Sequence, residues 1–187
     1  YTTQAVGDRI KQYLKSIITT GKTALLYAAG PAIHHSDGRN IPGVTADGVV
    51  VVKSQLGYNA YSVARMLDVE IDFMSINANT CASSMYSLYE AKQLLGSGYT
   101  DVIVFAIDAV DDTQELLFKQ LGVELGGRDG VVTTHLTSEP TAIEIDDVVW
   151  KWNKDSSPMS VSKEGYLKVL NELDVCDADV AKSHGSG

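Results

Sequence analysis

Cys81 is the residue in this sequence best placed for covalent chemistry. It follows an alternating stretch, 69–76, that reads as a strand, and a polar turn, Asn77-Ala78-Asn79-Thr80; it opens a segment, 82–95, with helical periodicity. A thiol at a strand-to-helix turn meets the positive end of the helix dipole and the backbone N–H groups of the first turn, and both favour the thiolate. The same N–H groups can hold the oxyanion formed when a thioester carbonyl is attacked, so one turn supplies a nucleophile and part of an oxyanion hole. Ala82, Ser83 and Ser84 are small enough for a substrate to approach the backbone closely. The opposing expectation is inert packing, because free cysteine is among the most buried residue types. Asn, Thr and Ser around the thiol weigh against it, since core filler needs no polar shell.

The histidines are less informative taken singly. His184 stands in Ser183-His184-Gly185-Ser186-Gly187, beside flexible glycines. His34 and His35 are adjacent, so they point apart on an extended chain, and no Cys or carboxylate partner has a ligand spacing; no metal site is expected there. His135 reads as a mid-strand residue satisfied by its neighbours. Gly126-Gly127 before Arg128-Asp129 lacks the lysine and hydroxyl residue of a phosphate loop, and no cofactor-binding set is expected.

The elements that must position these residues follow from the apolar pattern. Ile10, Leu14, Ile17 and Ile18 before Gly21 predict an amphipathic helix over 6–20, and 24–29 reads as a buried strand. Residues 30–48 are rich in Gly, Pro, Asp and His and read as a surface loop. Val52, Leu56, Ala60, Val63, Ala64 and Leu67 predict a helix within 49–67. After the 82–95 helix, which stops at Gly96-Ser97-Gly98, residues 102–107 form a continuous apolar strand, giving a strand, turn, helix, strand unit. A short helix is expected at 116–121. Strands are expected at 131–136 and 142–149, paired as a hairpin across Thr137-Ser138-Glu139-Pro140. Beyond Trp150 the composition changes: 151–158 is turn-like, 161–173 helical and 175–180 ambiguous between loop and strand. The element order predicts an α/β layered fold with a mixed sheet.

Composition bounds the function classes. The chain has 187 residues, 44% apolar and 21% charged, with 4 prolines, which fits a packed domain rather than disorder. Its net charge of −9 gives no electrostatic basis for general affinity to nucleic acid or an anionic membrane. No run approaches the ~18 apolar residues of a membrane span. Two cysteines, Cys81 and Cys176, make no disulfide framework, so a reducing cytoplasm is the expected compartment. The first residue is Tyr1 and no signal peptide is visible; the native start is expected to be missing, and the Gly-Ser-Gly end reads as the opening of a loop or a cloning remnant.

The run Ile76-Asn77-Ala78-Asn79-Thr80-Cys81-Ala82-Ser83-Ser84-Met85-Tyr86-Ser87-Leu88-Tyr89-Glu90-Ala91, followed by Leu94-Leu95-Gly96-Ser97-Gly98 and Asp101-Val102, resembles the active-site segment of β-ketoacyl synthases of the thiolase-like superfamily. In that family a strand, a Thr-Ala-Cys-Ser-Ser type elbow and a long helix ending in a Ser-Gly-x-x-Asp-Val turn recur in this order. Gly57 and Leu67 fall where such proteins carry a Gly and a Leu-Gly end, with Asp68 in place of the second Gly. Asp129-Gly130-Val131-Val132 leading to Leu136-Thr137-Ser138-Glu139 is similar to the family's Gly-rich acidic strand, although Val131, Thr133, Thr134 and His135 replace its small and apolar residues. The helix 165–173, Val175, Asp177-Ala178-Asp179-Val180 and His184-Gly185-Ser186-Gly187 are similar to the run that carries the family's first catalytic histidine.

The resemblance implies a thiolase-like layered fold with a mixed sheet and an incomplete second half. Residues 1–150 would be the half carrying the cysteine elbow, and 151–187 the start of the C-terminal half. It implies that Cys81 accepts an acyl group from an acyl carrier protein or coenzyme A thioester. His184 would assist decarboxylation of a malonyl unit, with no metal or cofactor. Two departures stand against full activity. Lys182 replaces the acidic residue two places before the histidine, and the second catalytic His or Asn and the Gly-rich Phe loop lie beyond the end of this chain. Three alternatives follow: a fragment of a larger condensing enzyme, a reduced member whose site is completed by a homodimer or complementing subunit, and a catalytically silent homologue that acts as a structural or partner-binding subunit. A thiol hydrolase with a Cys81–His dyad is a different class, and the sequence places no Asn or Asp to orient its histidine. An acidic carrier protein would need basic residues near Cys81, for which Lys53, Arg65, Lys92 and Arg128 are candidates. The apolar run 102–107 is the strand expected to continue a sheet across a homodimer.

Overall fold

A computed structural model describes residues 4–29, 43–44, 50–51, 55–79, 82–108, 119–120, 130–151 and 163–173. Helix α1, Gln4–Ser16, precedes strand β1, Thr23–Ala29. Strands β2, Gly43–Val44, and β3, Val50–Val51, form an antiparallel pair. Helix α2, Gln55–Ala64, leads to β4, Phe73–Asn77, and α3, Ser83–Gly96, leads to β5, Asp101–Asp108. Strand β6, Gly130–Thr137, and helix α4, Lys163–Leu170, follow.

The main sheet has the order β4-β1-β5-β6. β4, β1 and β5 are parallel, and β6 runs antiparallel to β5. This is a mixed four-stranded sheet with flanking helices, as the α/β expectation requires. β1 is buried along its whole length because it is flanked by strands on both edges and covered on both faces.

The period of two along the strands sorts the core into two layers. Leu25, Tyr27, Ile103 and Phe105 pack with Leu14 and Ile17 from α1 and its exit, and with Ala60, Val63 and Leu67 from α2 and its exit. Tyr27 and Phe105 stack with ring centroids 5.9 Å apart. On the opposite face Ala24, Leu26, Val102 and Val104 pack against Ala91, Leu88, Leu94 and Leu95 of α3. Among the described residues α3 is the helix that covers this face, and it begins just after the turn that follows β4.

The chain divides into two units, Tyr1–Pro140 and Thr141–Gly187. The first holds the sheet. In the second, Lys151 Nζ and Glu172 Oε1 form an ion pair at 2.6 Å, and Tyr166, Leu167 and Leu170 of α4 are exposed.

Several expected boundaries move, each for a tertiary reason. The helix expected over 6–20 ends at Ser16, because Thr20 donates its backbone N–H to Asp101 Oδ2 at 2.9 Å. The helix expected within 49–67 begins only at Gln55, since Val50 and Val51 are β-branched and pair with Val44 and Gly43. The strand expected at 69–76 begins at Phe73; Val69 and Ile71 instead pack onto the α1/α2-side core from the approach to β4. The strand expected at 142–149 does not form, and so neither does its hairpin with β6. Ile143 and Ile145 alternate with Glu144 and Asp146, but both are exposed and the segment has no ladder partner among the described residues, while β6 spends its pairing on β5. Alternation without a face to bury does not make a strand. Strand β5 is interior, paired with β1 and β6, so the run 102–107 cannot continue a sheet into a second copy. Lys119 and Gln120 are helical; the rest of the expected helix 116–121 lies outside the described residues, as does 175–180.

Candidate functional site

The turn carrying Cys81 is bracketed by described residues, while Thr80 and Cys81 themselves lie outside them. On the strand side β4 ends at Asn77. On the helix side Ala82 occupies the N-cap of α3 with no side-chain cap hydrogen bond, and the first turn of α3 contains no acidic residue. The Ala82 amide donates to the Asn79 carbonyl at 3.1 Å, which joins the two flanks. Because β4, β1 and β5 are parallel, this junction lies at the carboxyl end of the strands, where open α/β sheets bind their ligands.

Three buried polar side chains hold the junction. Ser83 Oγ donates to the Ala29 carbonyl at the end of β1 at 2.8 Å, and Ser87 Oγ donates to the Ser83 carbonyl at 2.9 Å. Asn77, 6% exposed, donates from Nδ2 to Ser87 Oγ at 2.9 Å and to Glu90 Oε2 at 2.7 Å. Ser83, Ser87 and Ala91 recur at helical spacing as the buried face of α3, and their small size brings the helix close enough to the sheet for these bonds. Sequence reasoning placed Ser83 only as a small neighbour and missed Asn77 and Ser87. The signal was available as a polar residue ending an apolar strand and a small residue every four positions on the following helix.

A second polar cluster sits at the other end of the sheet. Asp101, 1% exposed, accepts from the Thr20 amide at 2.9 Å, the Thr20 hydroxyl at 3.1 Å and the Thr100 hydroxyl at 2.8 Å on Oδ2, and meets His135 Nε2 at 2.8 Å on Oδ1. Burial by itself raises this carboxyl, but the hydrogen bonds from the Thr20 amide, His135, Thr100 and the Thr20 hydroxyl outweigh it and hold the group below its ordinary value. An ionised carboxylate only accepts, so Nε2 of His135 carries the proton it shares. His135 is the satisfied sheet residue expected of it.

This His–Asp pair is the arrangement a thiol hydrolase would need, and it lies toward the opposite end of the sheet from the β4–α3 junction. His135 is level with Ile103, Leu25 and Met74 across the sheet, and the strand runs on to Asn77 before the turn. Three strand spacings and three residues of rise separate His135 from Asn77 by roughly 17 Å. The basic candidates fare no better where they are described. Arg65 follows the C-terminal end of α2, the end that leads back toward the start of β4, and Lys92 is ~13 Å along α3 from its first turn. Neither gathers at the junction.

His184, Cys176, His34, His35, Lys53, Arg128 and Gly126-Gly127 lie outside the described residues. Among the described residues no group of three or more His, Cys, Asp or Glu could hold a metal ion, and no helix is long and apolar enough to cross a membrane. Comparison of the chain with family models, curated proteins and solved structures finds no match.

Proposed function

We propose that this chain is a β-ketoacyl synthase-like acyltransferase with Cys81 as its nucleophile and His184 as its charge stabiliser. The observation that supports the reading is the junction between β4 and α3. It combines an uncapped helix start, a strand end at the carboxyl edge of a parallel sheet, and buried hydrogen bonds that hold both in place.

In the first step the Cys81 thiolate attacks the carbonyl of an acyl thioester carried by coenzyme A or an acyl carrier protein. The oxyanion collapses, the donor sulfur leaves as thiolate and an acyl-cysteine remains. In the second, a malonyl-type thioester loses carbon dioxide. The electron pair of the broken bond becomes an enolate held by the imidazole N–H of His184, and its carbon attacks the acyl-cysteine to form the new carbon–carbon bond and release the Cys81 thiolate. A homodimer or complementing subunit supplies the remaining site residues in this reading, and the cytoplasm supplies the thioesters.

The test is mass spectrometry of the intact 187-residue chain after incubation with acyl-coenzyme A or acyl carrier protein, followed by peptide mapping. A stable acyl adduct on Cys81, absent from Cys81→Ser, is the expected result. Turnover to free acid points instead to a hydrolase. A chain that takes neither an acyl group nor iodoacetamide at Cys81 is a silent, structural or partner-binding homologue.

A further inference from the structure

The stretch that opens the second unit has the composition of a strand and no ladder to join. Residues 142–149 include the β-branched Ile143, Ile145, Val148 and Val149, and the two isoleucines alternate with Glu144 and Asp146. They pair with no strand among the described residues, and Ile143 is 83% and Ile145 48% exposed. The Ser138 amide still donates to the Thr100 carbonyl at 3.4 Å, but Pro140, two residues on, has no amide hydrogen to continue the ladder. Beyond it, side chains of the segment take up its backbone groups: the Thr141 hydroxyl donates to the Ile143 carbonyl at 2.6 Å, and the Val148 amide donates to Asp147 Oδ1 at 2.7 Å. The segment is also acidic. No Lys or Arg stands between Arg128 and Lys151, whereas Glu139, Glu144, Asp146 and Asp147 do, and Glu144 and Asp146 are exposed. Neither β6, which carries no Lys or Arg, nor a second copy of a chain at −9 offers it a complementary charge.

We propose that residues 142–149 are a docking segment that adds itself as a strand to the open sheet edge of a partner protein, an edge lined with Lys or Arg. The inference is independent of the reading of Cys81. As an added strand the segment exchanges its local hydrogen bonds for a ladder, and the period of two sets Ile143 and Ile145 on one face and Glu144 and Asp146 on the other. The isoleucines then leave water against the apolar face of the partner sheet, and the carboxylates meet its basic side chains. Lysine is the residue with which proteins guard an open edge against unwanted pairing, so an acidic strand is the kind such an edge admits. An acidic or neutral edge is refused or ignored by the same charges.

The test uses the full chain, isotope-labelled for backbone NMR, and as probe a disulfide-closed β-hairpin peptide whose outer strand alternates Lys and Val. In the free chain the amides of 142–149 are expected to exchange without ladder protection. On adding the peptide every second amide of the segment becomes protected, as pairing along one edge requires. The double variant Ile143→Ser with Ile145→Ser changes exposed positions, so it keeps the wild-type thermal midpoint, and it binds the peptide at least about tenfold more weakly. Glu144→Gln with Asp146→Asn weakens binding at low salt and less at high salt. A hairpin with Glu in place of Lys does not bind. Absence of binding to the Lys/Val hairpin overturns the proposal. So does equal binding by the double-serine variant, which marks a general attraction between a basic peptide and an acidic chain. Protection of 142–149 in the free chain at every concentration assigns the segment to its own sheet, and protection that grows with protein concentration assigns it to a second copy; either result overturns the basic-edge partner.

Discussion

Asp101 shows how one carboxylate can organise one end of a sheet. It binds the segment between α1 and β1 through Thr20, the turn before its own strand through Thr100, and the neighbouring strand through His135, so three stretches distant in sequence depend on one side chain. Its carboxyl is held below its ordinary value in the folded state, so it contributes stability that is present above the unfolded carboxyl value, near ~3.9, and is lost as pH falls through the lowered folded value. Asp101→Asn replaces an acceptor by a donor opposite the Thr20 amide or the imidazole N–H and is expected to cost about 2 kcal/mol at neutral pH. Urea denaturation across the acid range checks the sign. The difference between wild type and Asp101→Asn should be constant above about pH 5 and shrink below about pH 4. A difference that grows with acid would show that the carboxyl is not ionised in the fold.

At the scale of elements, the end of α3 is decided by a single glycine. The Tyr99 amide donates to the Leu94 carbonyl at 3.1 Å and the Gly98 amide to the Leu95 carbonyl at 3.3 Å, the paired bonds of a Schellman motif, with Gly98 at φ 97°. Leu94 and Tyr99 pack in the same core layer, which supplies the apolar contact that accompanies this motif. A Cβ on Gly98 meets nothing within 4 Å, so substitution there costs backbone conformation alone. Gly98→Ala is expected to lose about 1 kcal/mol, and Gly98→Val more, seen as a lowered thermal midpoint. Gly96→Ala, inside the helix and also in open space, should be neutral or stabilising. Ser97-Gly98 and Asp101-Val102, part of the resemblance to condensing enzymes, thus have structural duties that any helix turning back into this sheet would need. The weight of that resemblance rests on Cys81 and its turn.

Across the whole molecule, the unit boundary at Pro140/Thr141 opens onto a stretch, 142–150, with neither helix nor strand, in which Ile143 is 83% exposed. β1 and β5 by contrast are interior strands of the sheet. Limited proteolysis with a glutamate-specific protease should therefore cut after Glu144 before it cuts after Glu90 within α3, as read by mass spectrometry of the fragments. Protection of Glu144 would mean that the segment is covered in solution, as it would be if a partner sheet edge took up its alternating Ile143 and Ile145.

The layered α/β class, the strands β1, β5 and β6, and the strand–turn–helix around Cys81 were legible from the chain alone. Each rests on apolar periodicity and on Gly or Thr breaks that act within a few residues, and the position of a thiol between a strand and a helix is a local property. The pairing of Asp101 with Thr20 and His135, the clamp of Asn77 on Ser87 and Glu90, the interior place of β5 and the failure of 142–149 to pair were not. Each joins residues whose meeting depends on strand order and on which face a helix covers, and a polar side chain reveals its role only through the partner that burial brings to it.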